Sequence, residues 1–147
     1  ELSERKDLLE TGIRYFWNCW GNPSNFKFYE NCIRNSLDRE NKLPKFYLAV
    51  LEDEIVGSYA LLVNDLISRQ DLMPWLGCLY VEEKHRGKGL AGNLLAHGLE
   101  QAKLKGFEML YLSTDLDNFY EKKGWQVFSS AFGVRGDEFK VYARPTQ

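Results

Sequence analysis

A short segment rich in cations and glycine, residues 85–99, combines groups that could bind an anion with the start of an amphipathic helix. Arg86, Lys88 and the glycines Gly87 and Gly89 precede a strongly apolar helical pattern. A helix N-terminus carries unpaired backbone N–H groups and a partial positive charge, and glycine lets a ligand approach the backbone closely. The segment therefore predicts a site for a phosphate or pyrophosphate, with two side-chain cations beside it.

This segment can be compared with two known nucleotide-binding motifs. A P-loop is excluded, because the four-residue spacing before Gly-Lys is missing and no Ser or Thr follows Lys88. The pattern GxGxxG is met by Gly87, Gly89 and Gly92, but the charged loop EEKHR before it is longer than the tight turn of a dinucleotide fold. Asp115 is a marginal candidate for a ribose contact. A nucleotide-binding Rossmann module stays open as one alternative.

The elements that must position this segment include three helices. Apolar residues at helical spacing predict helices over 3–18, 25–38 and 89–105. Ser24 is expected to cap the N-terminus of the second helix, and Gly106 the C-terminus of the third. The third helix has an apolar stripe along one face, made of Leu90, Ala91, Leu94, Leu95, Gly98, Leu99 and Ala102.

Strand patterns make up much of the remaining chain. The runs FYLAVL and IVGSYALLV, joined by the acidic turn 52–54, predict a β-hairpin. A short helix is expected over 118–123, closed by Gly124. Further strands are expected near residues 75–81, 108–114, 125–130 and 138–143. The order predicts an α+β fold, with a central mixed, mostly antiparallel sheet of about six or seven strands flanked by helices, in one domain over 1–147.

Composition limits the classes of protein that this chain can belong to. Its 147 residues are 44% hydrophobic and 27% charged, as expected for a globular domain. The net charge of −2 gives no basis for nucleic-acid binding, and no apolar run or signal peptide predicts a membrane partner. The cysteines Cys19, Cys32 and Cys78 lack disulfide or zinc spacing, and His85 and His97 lack metal-ligand spacing. We expect a reduced, cytoplasmic protein without a metal.

Two sequence blocks resemble one enzyme family. The segment V-x-x-x-x-R-G-K-G-L-A resembles the acetyl-CoA-binding motif of the GNAT superfamily of N-acetyltransferases, whose Arg or Gln, Gly, and Gly or Ala positions are met by Arg86, Gly89 and Ala91. The run Tyr120–Trp125, YEKKGW, resembles a second block of that family. The resemblance implies an acyl-CoA N-acyltransferase fold with acetyl-CoA as co-substrate. It also implies acetyl transfer to a primary amine by direct attack in a ternary complex, rather than through an acyl-enzyme at Cys78.

The resemblance also implies roles for individual residues. The backbone of Leu79 and Val81 would pair with the pantetheine like an added strand, and Tyr120 would protonate the leaving thiolate. Position 113 is a serine where the family often has an asparagine that contacts the pantetheine, and Asn118, Thr114 or Asp115 could take its place out of register. The pyrophosphate of CoA would be bound by backbone N–H groups at Arg86, Gly87, Lys88, Gly89, Leu90, Ala91 and Gly92.

The sequence defines the general base and the acceptor less closely than it defines the cofactor site. Asp71 is a candidate base by its position before the third predicted strand, with loop capping or a water chain as the alternatives. The expected partner is a small-molecule or peptide amine, and a homodimer is one option. An acyl-CoA-binding sensor or interaction domain without turnover is the alternative function. An aminoglycoside acceptor would normally demand a strongly acidic cleft, for which the obvious contributors are Asp65, Asp71, Asp115 and Asp117.

Overall fold

The structure is a computed structural model that describes residues 1–147, and it contains one six-stranded mixed sheet flanked by helices. The strand order is β1-β2-β3-β4-β6-β5; β3 and β4 are parallel, whereas β6 is antiparallel to both β4 and β5. The predicted α+β fold is thereby confirmed. The elements are α1 (Leu9–Trp20), α2 (Phe26–Asn35), β1 (Lys45–Leu51), β2 (Glu54–Leu62), β3 (Trp75–Val81), α3 (Leu90–Leu104), β4 (Met109–Thr114), β5 (Gln126–Phe132) and β6 (Glu138–Pro145).

The chain forms two compact units. The first comprises Glu1–Ala60 and Cys78–Leu94, and the second comprises Leu61–Gly77 and Leu95–Gln147. The boundaries fall inside β2, β3 and α3, so each of these elements contributes residues to both units. A single domain over residues 1–147 stays a prediction. No helix has both the length and the apolar composition needed to cross a membrane.

In the first unit, the helix predicted over 3–18 is interrupted near its start. Two short 3-10 turns, Leu2–Glu4 and Lys6–Leu8, precede α1, because Arg5 between them has a non-helical backbone (φ −128°, ψ 66°). The Arg5 guanidinium binds the Asp7 carboxylate through two hydrogen bonds. The rest of the apolar pattern forms α1 as expected, and it buries Ile13 and Phe16.

The start of α2 corrects the expected cap. The N-cap residue is Asn25, and Ser24 instead donates its hydroxyl to Asn22 Oδ1 at 2.7 Å. The Asn22 N–H donates to Asn25 Oδ1, also at 2.7 Å. Asn22 and Asn25 therefore organise a local turn that competes with capping by the serine.

The predicted hairpin of β1 and β2 is present. Its turn residues Glu52 and Asp53 both have positive φ angles, 50° and 65°, which is typical of the type I′ turn that matches the twist of paired strands. Inside the hairpin, the rings of Tyr47 and Tyr59 stack at 4.6 Å. The acidic tip is exposed, as expected.

In the second unit, the end of α3 confirms the predicted glycine cap. Gly106 N–H donates to Lys103 O at 2.9 Å and Phe107 N–H to Ala102 O at 3.0 Å, the pair of bonds that defines a Schellman motif. The short helix expected over 118–123 is instead a single 3-10 turn, Glu121–Lys123. A small apolar core in this unit contains Ile67, Trp75, Ala131 and Val141.

Candidate cofactor loop and catalytic residues

The predicted anion-binding segment follows β3 directly. After Val81 the chain makes a 3-10 turn, Glu83–His85, in which Arg86 N–H donates to Glu83 O at 3.2 Å. Gly87 and Gly89 then adopt left-handed φ angles of 76° and 81°, a conformation that side chains strongly disfavour. A Cβ atom added at either glycine would meet nothing within 4 Å. Open space therefore lies beside the backbone of this loop.

The first turn of α3 supplies backbone donors next to that space. The helical hydrogen bond at its start joins Asn93 N–H to Gly89 O at 3.1 Å. The N–H groups of Leu90, Ala91 and Gly92 precede this bond, and such groups lack a partner within a helix. The helix also carries its partial positive charge at this end. The loop and the helix start therefore offer adjacent donors and positive potential to an anion.

Arg86 is held in a defined orientation at the loop. Its Nε donates to Val81 O at 2.9 Å, and its guanidinium carbon lies 5.4 Å from the centre of the Tyr80 ring. These two contacts fix the plane of the guanidinium while its terminal amino groups stay available. Arginine is well suited to recognise phosphate oxygens through paired N–H donors.

A contact from α1 anchors the residue that precedes the turn. The Tyr15 hydroxyl donates to Glu82 Oε1 at 2.8 Å, and Glu82 N–H donates to Val56 O at 2.9 Å. Burial and then the hydrogen bond to Glu82 raise the pKa of Tyr15, so its hydroxyl keeps the donated proton. The Tyr15 ring also packs edge-on against Tyr80, at 6.3 Å. Sequence reasoning missed this contact, since no local pattern connects residues so far apart in the chain.

Strand β3 is distorted where the pantetheine contact is predicted. Cys78 has a φ of 53°, which is unusual for a residue other than glycine and indicates local strain. Its carbonyl accepts a hydrogen bond from Ser58 Oγ at 3.0 Å. The next residue, Leu79, is half-buried and Val81 is buried. The backbone roles of Leu79 and Val81 stay predictions.

Tyr120 lies in the second unit within an aromatic cluster. Its side chain is 8% exposed and packs edge-on against Phe119 and Trp125, with Tyr142 tilted beside it at 5.6 Å. Its hydroxyl has no hydrogen-bond partner in the protein. Burial raises the pKa of Tyr120. The phenol therefore keeps its proton at neutral pH and can donate a hydrogen bond or a proton there.

The rest of the second sequence block holds Tyr120 in place. The turn Glu121–Lys123 ends at Gly124, and Trp125 N–H donates back to Tyr120 O at 3.1 Å. Arg144 donates to Lys123 O at 2.5 Å and so ties β6 to the turn. The Tyr-Glu-Lys-x-Gly-aromatic spacing thus produces a tight turn with two buried aromatic residues.

The other predicted side chains have different surroundings. Asp71 is exposed and accepts two hydrogen bonds from Arg69, at 2.8 and 2.7 Å. The hydrogen bond from Arg69 lowers the pKa of Asp71, which makes this carboxylate a weaker base. Arg69 also donates to Ser129 Oγ at 2.9 Å.

Asn118 is exposed, with a φ of 63°. The catalytic role of Asp71 and the pantetheine contact of Asn118 stay predictions.

Sequence reasoning gave Asp65 no catalytic role, but its environment is unusual. Asp65 is half-buried, and neither a hydrogen bond nor an ion pair with the protein compensates its carboxylate. A Cβ atom added at Gly77 would lie 2.9 Å from Asp65 Oδ1, so the carboxylate occupies space that the glycine leaves beside β3. Burial raises the pKa of Asp65 from 3.8 to about 6. No local sequence signal distinguishes it from an ordinary loop aspartate.

The fold and the resemblance to one enzyme family agree with comparisons to known proteins. Residues 9–125 match the Acetyltransferase (GNAT) family, and the chain therefore belongs to this family of acetyltransferases. No curated protein sequence matches the chain significantly. The Rossmann alternative is wrong, because that module requires a parallel sheet whereas β6 runs antiparallel to both of its neighbours.

Solved structures of low sequence identity share the fold. One is an aminoglycoside 6′-N-acetyltransferase complexed with coenzyme A, which is 20% identical over 97% of this chain and 91% of that chain, with a TM-score of 0.67. The corresponding enzyme from Enterococcus faecium is 19% identical over 97% and 91%, with a TM-score of 0.68. A GNAT family acetyltransferase from Elizabethkingia anophelis with acetyl-CoA bound is 17% identical over 88% and 87%, with a TM-score of 0.63.

The environment of Asp65 predicts a specific pH dependence of stability. Since its pKa is raised from 3.8 to about 6 in the folded chain, the folded state holds a proton that the unfolded chain has released between these values. The free energy of unfolding therefore falls as pH rises through this window, and the ionised carboxylate destabilises the fold above it. We expect Asp65→Asn to raise the free energy of unfolding by about 1–3 kcal/mol more at about pH 7.5 than at about pH 4.5.

Urea denaturation at the two pH values measures this difference. Asp137→Asn is the matched control, because the Asp137 carboxylate also lies beside a glycine, Gly133, but on an exposed turn. The control shows how much of the change comes from exchanging a carboxylate for an amide beside a glycine. An equal effect of Asp65→Asn at both pH values would contradict the raised pKa.

Proposed function

We propose that this chain transfers an acetyl group from acetyl-CoA to a primary amine by direct attack within a ternary complex. The observation that carries the proposal is the segment 86–92, whose exposed first four residues include two left-handed glycines and lead into α3, within a member of an acetyltransferase family. The acceptor is a small-molecule or peptide amine in the cytoplasm, and the reaction uses no metal. Neither nucleic acid nor membrane is a partner.

The loop supports binding of the pyrophosphate of CoA in three ways. The open space beside Gly87 and Gly89 admits a ligand to the backbone. The N–H groups at the start of α3 provide donors for phosphate oxygens. Arg86, oriented by Val81 O and the Tyr80 ring, adds a charge-assisted contact. Backbone donors at Lys88 and Leu90 to Gly92 complete the proposed cradle.

The remaining predicted residues are proposed to bind the pantetheine arm and to transfer protons. The backbone of Leu79 and Val81 pairs with the pantetheine, and Asn118 contacts the same arm. Tyr120 protonates the thiolate that leaves when the amine attacks the acetyl carbon. Its phenol holds the proton at neutral pH, and because burial raises its pKa it is a weaker acid than an exposed tyrosine. The acceptor ammonium must lose a proton to a base, for which Asp71 is one candidate by its sequence position.

A thiol-release assay with acetyl-CoA tests the proposed activity. The amine panel contains a polyamine, amino acids, a peptide N-terminus and an aminoglycoside, the last because two solved structures with this fold are aminoglycoside 6′-N-acetyltransferases. We expect at least one amine to raise thiol release well above the rate with acetyl-CoA alone. An acyl-CoA sensor without turnover instead predicts tight acetyl-CoA binding and no amine-dependent release.

Substitution of a loop glycine tests the cofactor site. Gly89→Ala should weaken acetyl-CoA binding at least about tenfold, because its methyl group enters the space proposed for the pyrophosphate and strains a left-handed residue. Gly136→Ala is the matched control, since Gly136 has a φ of 85° and equally open surroundings but lies on the β5–β6 turn. Isothermal titration should show weaker binding in the first variant only. Equal affinity in both variants would place the cofactor elsewhere.

Removal of one hydroxyl tests the catalytic acid. Tyr120→Phe should lower kcat by about tenfold or more while acetyl-CoA affinity stays near that of the wild type, because the ring packing is kept and only the proton donor is lost. Tyr142→Phe is the control, since this neighbouring hydroxyl donates to Glu121 Oε1 at 2.5 Å. The control should lose stability rather than turnover. Unchanged kcat in Tyr120→Phe would remove this residue from the mechanism.

A further inference from the structure

The Asp65 carboxylate is half-buried, has no hydrogen-bond or ion-pair partner and is held in a fixed position. Its carboxylate lies beside β3 in the space left by Gly77, where an added Cβ would be 2.9 Å from Asp65 Oδ1 and 2.9 Å from Leu62 Cδ1. No side chain of the protein neutralises or hydrogen-bonds this carboxylate. A buried charge without a partner costs stability, so the fold keeps Asp65 at a cost that packing does not explain.

The loop that carries Asp65 is fixed by several hydrogen bonds. Asn64 Oδ1 accepts from Ile67 N–H at 2.9 Å. Ser68 N–H donates to Phe132 O at 2.9 Å, and Phe132 N–H donates to Ser68 Oγ at the same distance. These bonds tie both sides of the loop, so Asp65 has the fixed position that a catalytic group requires.

We propose that Asp65 is the general base of the acetyl transfer, an assignment that rests on the proposed function. The carboxylate takes a proton from the acceptor ammonium. The freed nitrogen lone pair forms the bond to the acetyl carbon, the carbon–sulfur bond breaks, and the CoA thiolate leaves and takes a proton from Tyr120. After attack the nitrogen still carries one proton more than the amide, and it releases this proton, which returns through solvent to Tyr120. Asp65 releases its own proton to solvent. The products are the acetylated amine and CoA.

The position on β3 supports this assignment. Gly77 precedes Leu79 by two residues on the strand whose backbone is proposed to pair with the pantetheine. A carboxylate beside Gly77 therefore lies along the same strand as the proposed cofactor contacts. A cationic acceptor would also provide the opposite charge that the fold does not give to Asp65.

The two candidate carboxylates differ in their capacity to accept a proton. Asp71 is engaged by Arg69 through two hydrogen bonds, which lower its pKa. Burial alone raises the pKa of Asp65 to about 6, so Asp65 is ionised at neutral pH yet basic enough to receive a proton. The residues that share this position with Asp65 are Gly77 and Leu62, and neither has an ionisable side chain.

The test compares pH profiles of the wild type, Asp65→Asn and Asp137→Asn with the best acceptor of the amine panel. Wild-type kcat/KM for the amine should fall below about pH 6, as Asp65 becomes protonated. Asp65→Asn should lower kcat/KM about 100-fold or more at neutral pH and should lose this acidic limb. Asp137→Asn should keep the wild-type profile. Asp65→Glu, which restores a carboxylate, should recover part of the rate and an acidic limb.

Acetyl-CoA affinity and the melting temperature separate catalysis from structure. At neutral pH the melting temperature should rise in Asp65→Asn, because the change removes an uncompensated charge, and acetyl-CoA affinity should stay near the wild-type value. Near-wild-type turnover with an unchanged acidic limb in Asp65→Asn would overturn the assignment while leaving the acetyltransferase activity intact. Loss of turnover in Asp71→Asn alone would transfer the role to Asp71. Absence of thiol release from the wild type with every amine would overturn the proposed function itself, and this assignment with it.

Discussion

The rest of the site depends on the unpaired backbone N–H groups at the start of α3. An α-helix has no carbonyl acceptors of its own for its first N–H groups. The chain enters the helix through Gly87 and Gly89 in left-handed conformations with open space beside them. Glycine adopts this conformation without steric strain, but it loses more backbone entropy on folding than any other residue. An anion at this position would satisfy the donors and compensate for that cost.

The surrounding contacts hold this entry rigid from both sides. Glu82 is bonded to the Tyr15 hydroxyl and to Val56 O, and Arg86 reaches back to Val81 O. Because the loop is fixed before a ligand arrives, less conformational entropy is lost on binding. On the helix side, the apolar stripe buries Leu94, Leu95, Leu99 and Ala102, whereas Leu90 and Ala91 at its start are half-buried. The same short segment thus joins a ligand-binding surface to the hydrophobic core.

Local features of the fold could be predicted from the sequence, whereas long-range environments could not. The stripe of α3, the Gly106 cap and the β1–β2 hairpin depend on periodicity and turn chemistry, and they are confirmed. The cap at Ser24 was wrong because two nearby asparagines form a competing turn. The bond from Tyr15 to Glu82 and the burial of Asp65 follow from tertiary packing. No residue spacing in the sequence encodes them.

Asp65 and Asp71 show why residue type and position alone do not identify a base. Both lie in the connection between β2 and β3, yet one carboxylate is engaged by Arg69 and the other by no protein group. The ion pair stabilises the charged form of Asp71 and makes it a weaker base. Burial makes Asp65 a stronger base, and its ionised form lowers the stability of the fold. A cost of that kind persists where function requires it. In this chain the free-energy cost of burying an unpaired charge arises at the Asp65 carboxylate beside Gly77. A cationic acceptor is the partner that would offset this cost.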